Sequence, residues 1–454
     1  MTLSRRQFTS IAVSAAFAGL ARNLLSTPAT AMATASGYGP LQSDPNALLD
    51  LPEGFSYRVI SRLGATMSDG LMVPDRADGM GCFGISDDKV ALVRNHELAH
   101  WHKTGGAFRE NGPRDIDAFD RLDDGTPLPG GTTTLVYNMK TGRVEREYLS
   151  LIGTLRNCAG GATPWGSWLT CEENVTRAGD KVQKDHGWIF EVPAQADGIV
   201  SPEPIKAMGR FNHEAAAVDP RTGIVYLTED RNDSLFYRFI PKTPGKLQDG
   251  GRLQALSFRN GAPHQDSRNW ERRDLDVGEW RDAEWVDLTG TDSPEDDLRL
   301  RGHEDGATVF ARGEGVHWGD GELYFCCTSG GAARLGQIMR YRPGPDEGTP
   351  GEASAPGRLQ LFLESDDPDR FNFGDNLTVA PNGHLFVCED QYTDTVSNHI
   401  RGVTPAGALY DFAHVRLQTE VAGACFSPDG SVLFVNLYQP TRTLAITGPW
   451  GFMS

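Results

Sequence analysis

A unit of alternating apolar and polar segments recurs six times between residues 81 and 438. Each unit contains a short apolar stretch, a turn rich in Asp, Asn or Gly, a second apolar stretch and a closing polar cluster. The units occupy residues 81–97, 158–174, 213–231, 314–329, 375–391 and 422–438. Short apolar stretches without helical periodicity predict paired strands, and the turn residues tolerate the backbone of tight hairpins. The repeat therefore predicts an all-β chain, folded as a six-bladed β-propeller with long loop insertions, with five or seven blades as the alternative counts.

The segments between the units divide into outer strands and insertions. Residues 234–240 and 337–341 follow two of the units and are predicted to be outer strands of blades. The polar segments 101–131 and 265–305 are predicted to be the long insertions. Large aromatic side chains are expected to fill the gaps between blades, and the candidates are Trp165, Trp168, Trp188 and Trp318.

The residues that open and close each unit are expected to be neighbours in space, because the two ends of a hairpin lie at the same edge of a sheet. If the first strands line the central channel, these ends surround one of its mouths. The expected neighbours are Cys158 with Glu172 and Glu173, Glu214 with Glu229 and Asp230, and Asp375 with Glu389 and Asp390. Acids recurring in one register favour a shared cation site, whereas acids that each cap a local turn need no cation.

Cys158 is the cysteine whose setting suggests chemistry. It precedes Gly160 and Gly161, which permit close approach of the backbone. A free Cys is often only a small buried apolar residue, but a single thiolate among carboxylates indicates iron rather than calcium. The other cysteines are expected to be packing residues, and they are Cys82, Cys171, Cys326, Cys327, Cys388 and Cys425.

Composition and charge narrow the functional classes. The hydrophobic share of 39% is that of a globular protein, and the formal charge of −18 argues against a nucleic-acid partner. The sequence contains no P-loop, no G-x-S-x-G elbow, no H-E-x-x-H helix and no dinucleotide fingerprint. An acidic enzyme acting on phosphate would need cations to reverse its local field.

The amino-terminal segment is predicted to be an export signal. Arg5 and Arg6 precede an apolar stretch at 11–20, and residues 31–33 read as an A-x-A cleavage site. We therefore expect a twin-arginine signal peptide at 1–33 and a single propeller domain at 34–454. This implies contact with the twin-arginine export machinery, a periplasmic or secreted protein, and no stable membrane insertion, since the apolar stretch is too short to span a bilayer.

Several short motifs resemble those of the PhoX family of bacterial alkaline phosphatases. The most specific are N-C-A-G-G at 157–161 and T-C-E-E-N at 170–174, joined by N-H-E at 95–97, R-F-N-H-E at 210–214, E-D-R at 229–231, R-G-E-G at 312–315, G-D-N-L at 374–377 and C-E-D at 388–390. Together they span most of the chain after residue 33. The resemblance implies a six-bladed propeller that holds a buried cluster of Fe³⁺ and Ca²⁺ ions.

The resemblance also implies roles for particular residues. Cys158, Glu214 and Glu314 would lie near iron. The acids expected near calcium are Glu97, Glu173, Asp375, Glu389 and Asp390. Arg312 would grip the phosphate, as its planar donor fork suits that task. His96 and His213 each precede one of these acids and are expected to orient it or to bind metal, and orientation is the favoured role.

The sequence thus predicts an exported, metal-dependent phosphatase that hydrolyses small phosphate esters, as a monomer by default. Two alternatives remain open at this stage. A calcium-dependent lactonase or esterase on a six-bladed propeller would also gather acids at the channel mouth, but it would need no thiolate. A non-enzymatic propeller with structural calcium would hydrolyse no ester.

Overall fold

The structure, a computed structural model, describes residues 37–102, 104–108, 115–179 and 181–451. The predicted signal at 1–33 lies outside these residues. Their first strands are β1 (Leu41–Gln42), β2 (Leu49–Pro52) and β3 (Ser56–Arg62), followed by β4 (Ala77–Ser86), β5 (Lys89–His96), β6 (Gly130–Asn138) and β7 (Arg143–Thr154). Next come β8 (Asn157–Ala162), β9 (Ser167–Glu172) and β10 (Ile189–Pro193).

The central part of the chain adds β11 (His213–Val218), β12 (Val225–Glu229), β13 (Tyr237–Pro241), β14 (Gly251–Phe258) and β15 (Trp280–Asp287). Helix α1 (Leu298–Glu304) precedes β16 (Gly313–Trp318), β17 (Leu323–Cys327), β18 (Gln337–Arg342) and β19 (Arg358–Glu364). The last strands are β20 (Gly374–Val379), β21 (Leu385–Glu389), β22 (His399–Val403), β23 (Leu409–Val415), β24 (Val421–Phe426), β25 (Val432–Leu437) and β26 (Arg442–Thr447). Short 3₁₀ turns lie at Lys206–Met208, Leu247–Asp249 and Pro350–Ser354.

The strands form antiparallel sheets arranged as in a propeller. Their orders are β4-β5-β6-β7, β8-β9-β10, β24-β25-β26-β3, β1-β2-β23-β22-β21-β20, and a nine-stranded sheet β11-β12-β13-β14-β15-β19-β18-β17-β16. The all-β, propeller-like prediction is thus confirmed in its coarse form. The predicted outer strands are found as β13 and β18. None of the helices in the described segments has the length and hydrophobicity needed to cross a membrane.

One predicted insertion contains regular structure. Strand β15 lies within 265–305 and pairs with both β14 and β19, so that two groups of strands merge into the nine-stranded sheet. Its residues are mostly half-buried or exposed, as in Trp280, Arg281 and Asp282. The segment therefore lacks the apolar run that marks the other strands, and its polar composition led to the wrong prediction of a loop.

The tight turns follow from local chemistry. Gly430 has φ of +72° at the turn between β24 and β25, a backbone region that is costly for residues with a Cβ. The Asp429 carboxylate accepts a hydrogen bond from the Ser431 backbone nitrogen at 3.0 Å. Such an Asx turn fixes the hairpin without help from distant residues.

The first strands of the hairpins form a closed ring. Strands β4, β8, β11, β16, β20 and β24 contact one another in this order, and β24 contacts β4. Glycine permits the close approach, since a Cβ on Gly161 would lie 1.9 Å from the Ala216 carbonyl oxygen. The early strand β3 pairs with the final strand β26, so both ends of the chain contribute to the sheet that contains β24.

The hydrophobic core lies between neighbouring sheets. Phe236 stacks on Phe325 with ring centroids 4.2 Å apart, which joins the two halves of the nine-stranded sheet. Trp168 and Trp188 belong to one buried cluster, whereas Trp165 and Trp318 lie partly buried at the edges of two others. The cysteines predicted to pack are buried, except for half-buried Cys82.

Candidate metal centre

Each strand of the inner ring carries a bulge near its start. In β4, for example, Ala77 pairs with His96 and Met80 with Arg94, so the first strand has one extra residue. The same shift occurs at the corresponding place in the other five. A bulge interrupts the ladder and changes the direction of a side chain. The first extra residues are Asp78, Cys158, Glu214, Glu314, Asp375 and Gly423, so five of the six bulges offer a potential metal ligand.

A second set of acids follows the second strands. Alternation along a strand directs successive side chains to opposite faces. The last residues of β9, β12 and β21 turn away from the ring, and the acids that come next line the cavity at its centre. These lining acids are Glu173, Asp230 and Asp390, and Glu97 occupies the equivalent position after β5.

The two sets surround a cavity of about 70 Å³. Its further lining residues are Arg156, Arg312, Asn376, Tyr392 and Glu420. Donor atoms approach within 4.8 Å of one another in three groups. The groups are Cys158 with Glu173 and Glu214, Glu214 with Glu314 and Asp375, and Asp375 with Asp390 and Glu420. Because Glu214 and Asp375 each belong to two groups, the donors form one connected cluster.

The cluster is costly to ionise without cations. Burial, and then the neighbouring carboxylates, raise the pKa of Glu214 and of Asp78 well above the usual range. Burial likewise raises the pKa of Asp375 to about 7 and that of Asp390 to about 6. The Asp78 Oδ1 atom is buried without a hydrogen-bond partner among the described residues. An unsatisfied buried oxygen beside several acids is the setting that a hard cation would complete.

Arg312 lies at this cavity and is held by its acids. Its Nε and Nη2 atoms donate to the two Asp230 carboxylate oxygens at 2.6 and 2.9 Å, and Nη2 also donates to Glu314 at 3.0 Å. The Tyr392 ring packs against the guanidinium at 5.0 Å. The predicted residue thus faces the predicted acids. Arg231, whose backbone carbonyl accepts from the Arg312 backbone nitrogen at 2.9 Å, contacts Asp296 at 3.4 Å.

The structure does not bring Glu389 to the cavity, in contrast to its predicted place near calcium. Glu389 ends β21 and accepts from Arg401 Nε at 2.8 Å and from the Asn372 backbone nitrogen at 2.9 Å. Glu172 has the same position in β9 and binds His186 at 2.7 Å. Alternation explains both cases, because the residue one step later is the one that points to the channel.

The two histidines do not line the cavity either. The ring nitrogens of His96 contact the Asp75 carbonyl oxygen at 3.0 Å and the Thr133 hydroxyl at 2.8 Å. His213 contacts the Gly209 carbonyl at 2.9 Å, and burial lowers its pKa to about 3. Both therefore anchor the ends of inner hairpins, which fits a supporting role better than metal ligation.

Sequence reasoning missed six residues of the cavity as site residues, and they are Asp78, Arg156, Asp230, Asn376, Tyr392 and Glu420. Asp78 lies outside the first repeat unit, which begins at residue 81, although β4 begins at Ala77. The repeat places Asp230 near Glu214 but gives no signal of its role. Arg156 and Glu420 fall outside the repeat, so no periodic signal identifies them.

Comparisons with known proteins agree with this architecture. A family model described as alkaline phosphatase PhoX matches residues 36–136 and 121–441. No curated protein matches the chain in sequence. Among solved structures, the chain is similar to Pseudomonas fluorescens PhoX in complex with vanadate, a transition state analogue, with 20% identity and a TM-score of 0.67 over 90% of this chain and 97% of that one. A gluconolactonase from Xanthomonas campestris matches with 13% identity and a TM-score of 0.40 over 90% and 98% of the two chains.

Proposed function

Because this chain belongs to the PhoX family of alkaline phosphatases and is a phosphoric ester hydrolase, we propose that it hydrolyses small phosphate esters at a metal cluster in the channel cavity. One observation carries the proposal. Five inner strands that are distant in sequence use the same bulge position to turn a thiol or a carboxylate toward one cavity. Structural packing alone does not require such a repeated arrangement of buried charge.

The donor set fits the ions that the family implies. Cys158, Glu214 and Glu314 would hold iron, since a thiolate is a softer ligand than calcium prefers. Asp375, Asp390 and Glu420 offer only oxygen and would hold calcium. Bound cations would supply positive charge to the phosphoryl oxygens and would favour ionised water as the nucleophile.

Two predicted calcium ligands differ in their surroundings. Glu173 belongs to a donor group with Cys158, so it remains a proposed ligand. Glu97 belongs to none of the donor groups found among the described residues. It accepts instead from Arg156 Nε at 2.7 Å. We assign Glu97 to the support of that arginine.

The protein's own residues prepare the phosphate site. Arg312 would donate to phosphoryl oxygens, and Asp230 holds its guanidinium in a fixed plane by two parallel hydrogen bonds. The acids of the cavity repel a phosphate unless their charge is balanced. Substrate binding is therefore expected only in the metal-loaded protein.

Finer features of the architecture and the location belong to the same proposal. We count the nine-stranded sheet as two blades joined through β15 and β19, which gives six blades with the six inner strands. Residues 34–454 would form this single domain. The arginine pair at 5–6 supports twin-arginine export to the periplasm or beyond, and we expect a monomer.

Metal analysis of the purified protein beside p-nitrophenyl phosphate hydrolysis tests the function. We expect iron and calcium in the protein, hydrolysis that stops with chelator, and recovery when metal is returned. A matched pair of variants tests the ligand set. Cys158→Ser should lose iron, whereas Cys171→Ser, at another buried thiol outside the donor groups, should keep it.

The same assay addresses the alternatives. Calcium without iron, combined with lactone turnover and no phosphate hydrolysis, would contradict the proposal in favour of a lactonase. A protein that binds calcium and hydrolyses no ester would contradict it in favour of a binding propeller.

A further inference from the structure

Two arginines occupy the same backbone position at the cavity. Arg156 immediately precedes β8 and Arg312 immediately precedes β16, each two residues before a proposed ligand. Both have left-handed backbones, with φ of +46° and +52°. Such a conformation is uncommon outside glycine and is kept where the surroundings require it. Both side chains line the cavity.

Both guanidinium groups are held in the same way. Arg156 donates through Nε to Glu97 at 2.7 Å, and its Nη2 forms an ion pair with Glu173 Oε2 at 2.6 Å. Arg312 likewise uses Nε and Nη2 for carboxylates of the cavity. Within the described part of the chain, Nη1 of each arginine makes no hydrogen bond. Each side chain is therefore anchored by one edge and leaves a donor free.

The surroundings keep this donor available. The Arg156 side chain is 34% exposed, compared with 19% for Arg312, so both reach the open end of the cavity. The Tyr438 hydroxyl also contacts Glu97, which fixes the carboxylate that holds Arg156. An arginine oriented by carboxylates has little freedom left to lose when it binds an anion.

We propose that Arg156 is a second phosphate-binding residue, which donates through Nη1 to a phosphoryl oxygen of the substrate. This inference rests on the proposed function of the cavity. A phosphate monoester has three non-bridging oxygens that share its negative charge, so two separately anchored arginines have distinct acceptors. Strand β11 lies between β8 and β16 in the ring, which separates the two donors.

Arg76 provides a matched control. It immediately precedes β4 and also has a left-handed backbone, with φ of +55°. Its Nη1 atom is already used, since it donates to the Tyr438 hydroxyl at 2.8 Å. Arg76 does not line the cavity. Substituting Arg156 removes a donor that faces the cavity, whereas substituting Arg76 removes a similar arginine outside it. The two variants can therefore be compared directly.

The test measures binding of orthovanadate and inorganic phosphate to metal-loaded wild-type protein and to Arg156→Ala, Arg156→Lys and Arg76→Ala. Metal content and the KM and kcat for p-nitrophenyl phosphate are measured alongside. We expect Arg156→Ala to weaken anion binding and raise KM by about 10- to 100-fold, as loss of one charged hydrogen bond does. Arg156→Lys keeps the charge but not the fork and should recover part of the affinity. Arg76→Ala reaches the cavity only through the Tyr438 hydroxyl, so it should change anion binding much less than Arg156→Ala does.

If Arg156→Ala loses metal, the role of Arg156 is tested with Arg156→Lys instead, because this variant keeps a positive charge beside Glu97 and Glu173. Weaker vanadate binding by metal-complete Arg156→Lys supports the proposal, and wild-type affinity in that protein overturns it. Wild-type affinity in metal-complete Arg156→Ala also overturns it. Wild-type protein that binds vanadate but hydrolyses no phosphate ester would refute the proposed function, while the binding comparison would still decide the role of Arg156.

Discussion

The expected loss of activity on substitution of Arg312 can be estimated from the hydrogen bonds at this residue. Replacing Arg312 by Ala removes the fork that Asp230 holds by hydrogen bonds of 2.6 and 2.9 Å. The side chain is only 19% exposed, so water replaces it poorly. Loss of a hydrogen bond between charged groups costs about 1.5–3 kcal/mol. If the bond forms to the transferring phosphoryl group, kcat/KM should fall by roughly 10- to 150-fold.

The assay is steady-state hydrolysis of p-nitrophenyl phosphate at equal metal content, checked by elemental analysis. Arg312→Lys should show a smaller loss, because it restores charge without bidentate geometry. Arg231→Ala is the control, since Arg231 contacts Asp296 at the longer distance of 3.4 Å and does not line the cavity. Unchanged kcat/KM in metal-complete Arg312→Ala would refute the assignment of Arg312 to the phosphate.

Three further predictions concern stability. Burial alone would lower the pKa of His186, but Glu172 and Asp120 outweigh it and raise the pKa to about 9. The stability that this charge contributes, about 3 kcal/mol as an upper bound, should be present below pH 6.5 and lost as the pH rises through 9. Urea unfolding of wild type and His186→Gln across this pH range measures the contribution. If the free energies of unfolding of the two proteins depend on pH in parallel, the His186 charge contributes no stability. Glu389→Gln should lower the free energy of unfolding by about 1–3 kcal/mol, because it removes the buried carboxylate at Arg401 Nε and leaves only the half-exposed Asp411 as a counter-charge, and it should leave metal content unchanged. Loss of metal in Glu389→Gln would instead indicate that Glu389 is a metal ligand. Chelation should lower the Tm of wild type through loss of ligand linkage, and a Tm unaffected by chelator would contradict a buried cluster.

The repeat of apolar and polar positions was sufficient to predict hairpins whose ends meet. It brought Cys158, Glu214 and Asp375 to one place, because strand pairing is encoded locally by alternation and turn residues. The repeat does not indicate whether Glu389 or Asp390 points into the cavity, because this depends on which face of the strand meets the channel. The bulge that turns each ligand inward has no local signature in these strands.

Other features depend on contacts between distant parts of the chain. Arg156 becomes a candidate only when Glu97 and Glu173, which lie on separate sheets, are seen to hold it. The polar sequence of strand β15 is typical of a loop. Its position in the sheet follows from its pairing with β14 and β19 rather than from its own sequence. Tertiary context thus decides the details of the centre, whereas local patterning decides its position.

Anomalous X-ray diffraction from crystals of the purified protein, recorded on both sides of the iron absorption edge, tests the proposed centre most directly. We predict an iron peak in the cavity beside the Cys158 Sγ atom and Glu214, which share one donor group. Crystals of active protein without an iron signal at Cys158 would contradict the account.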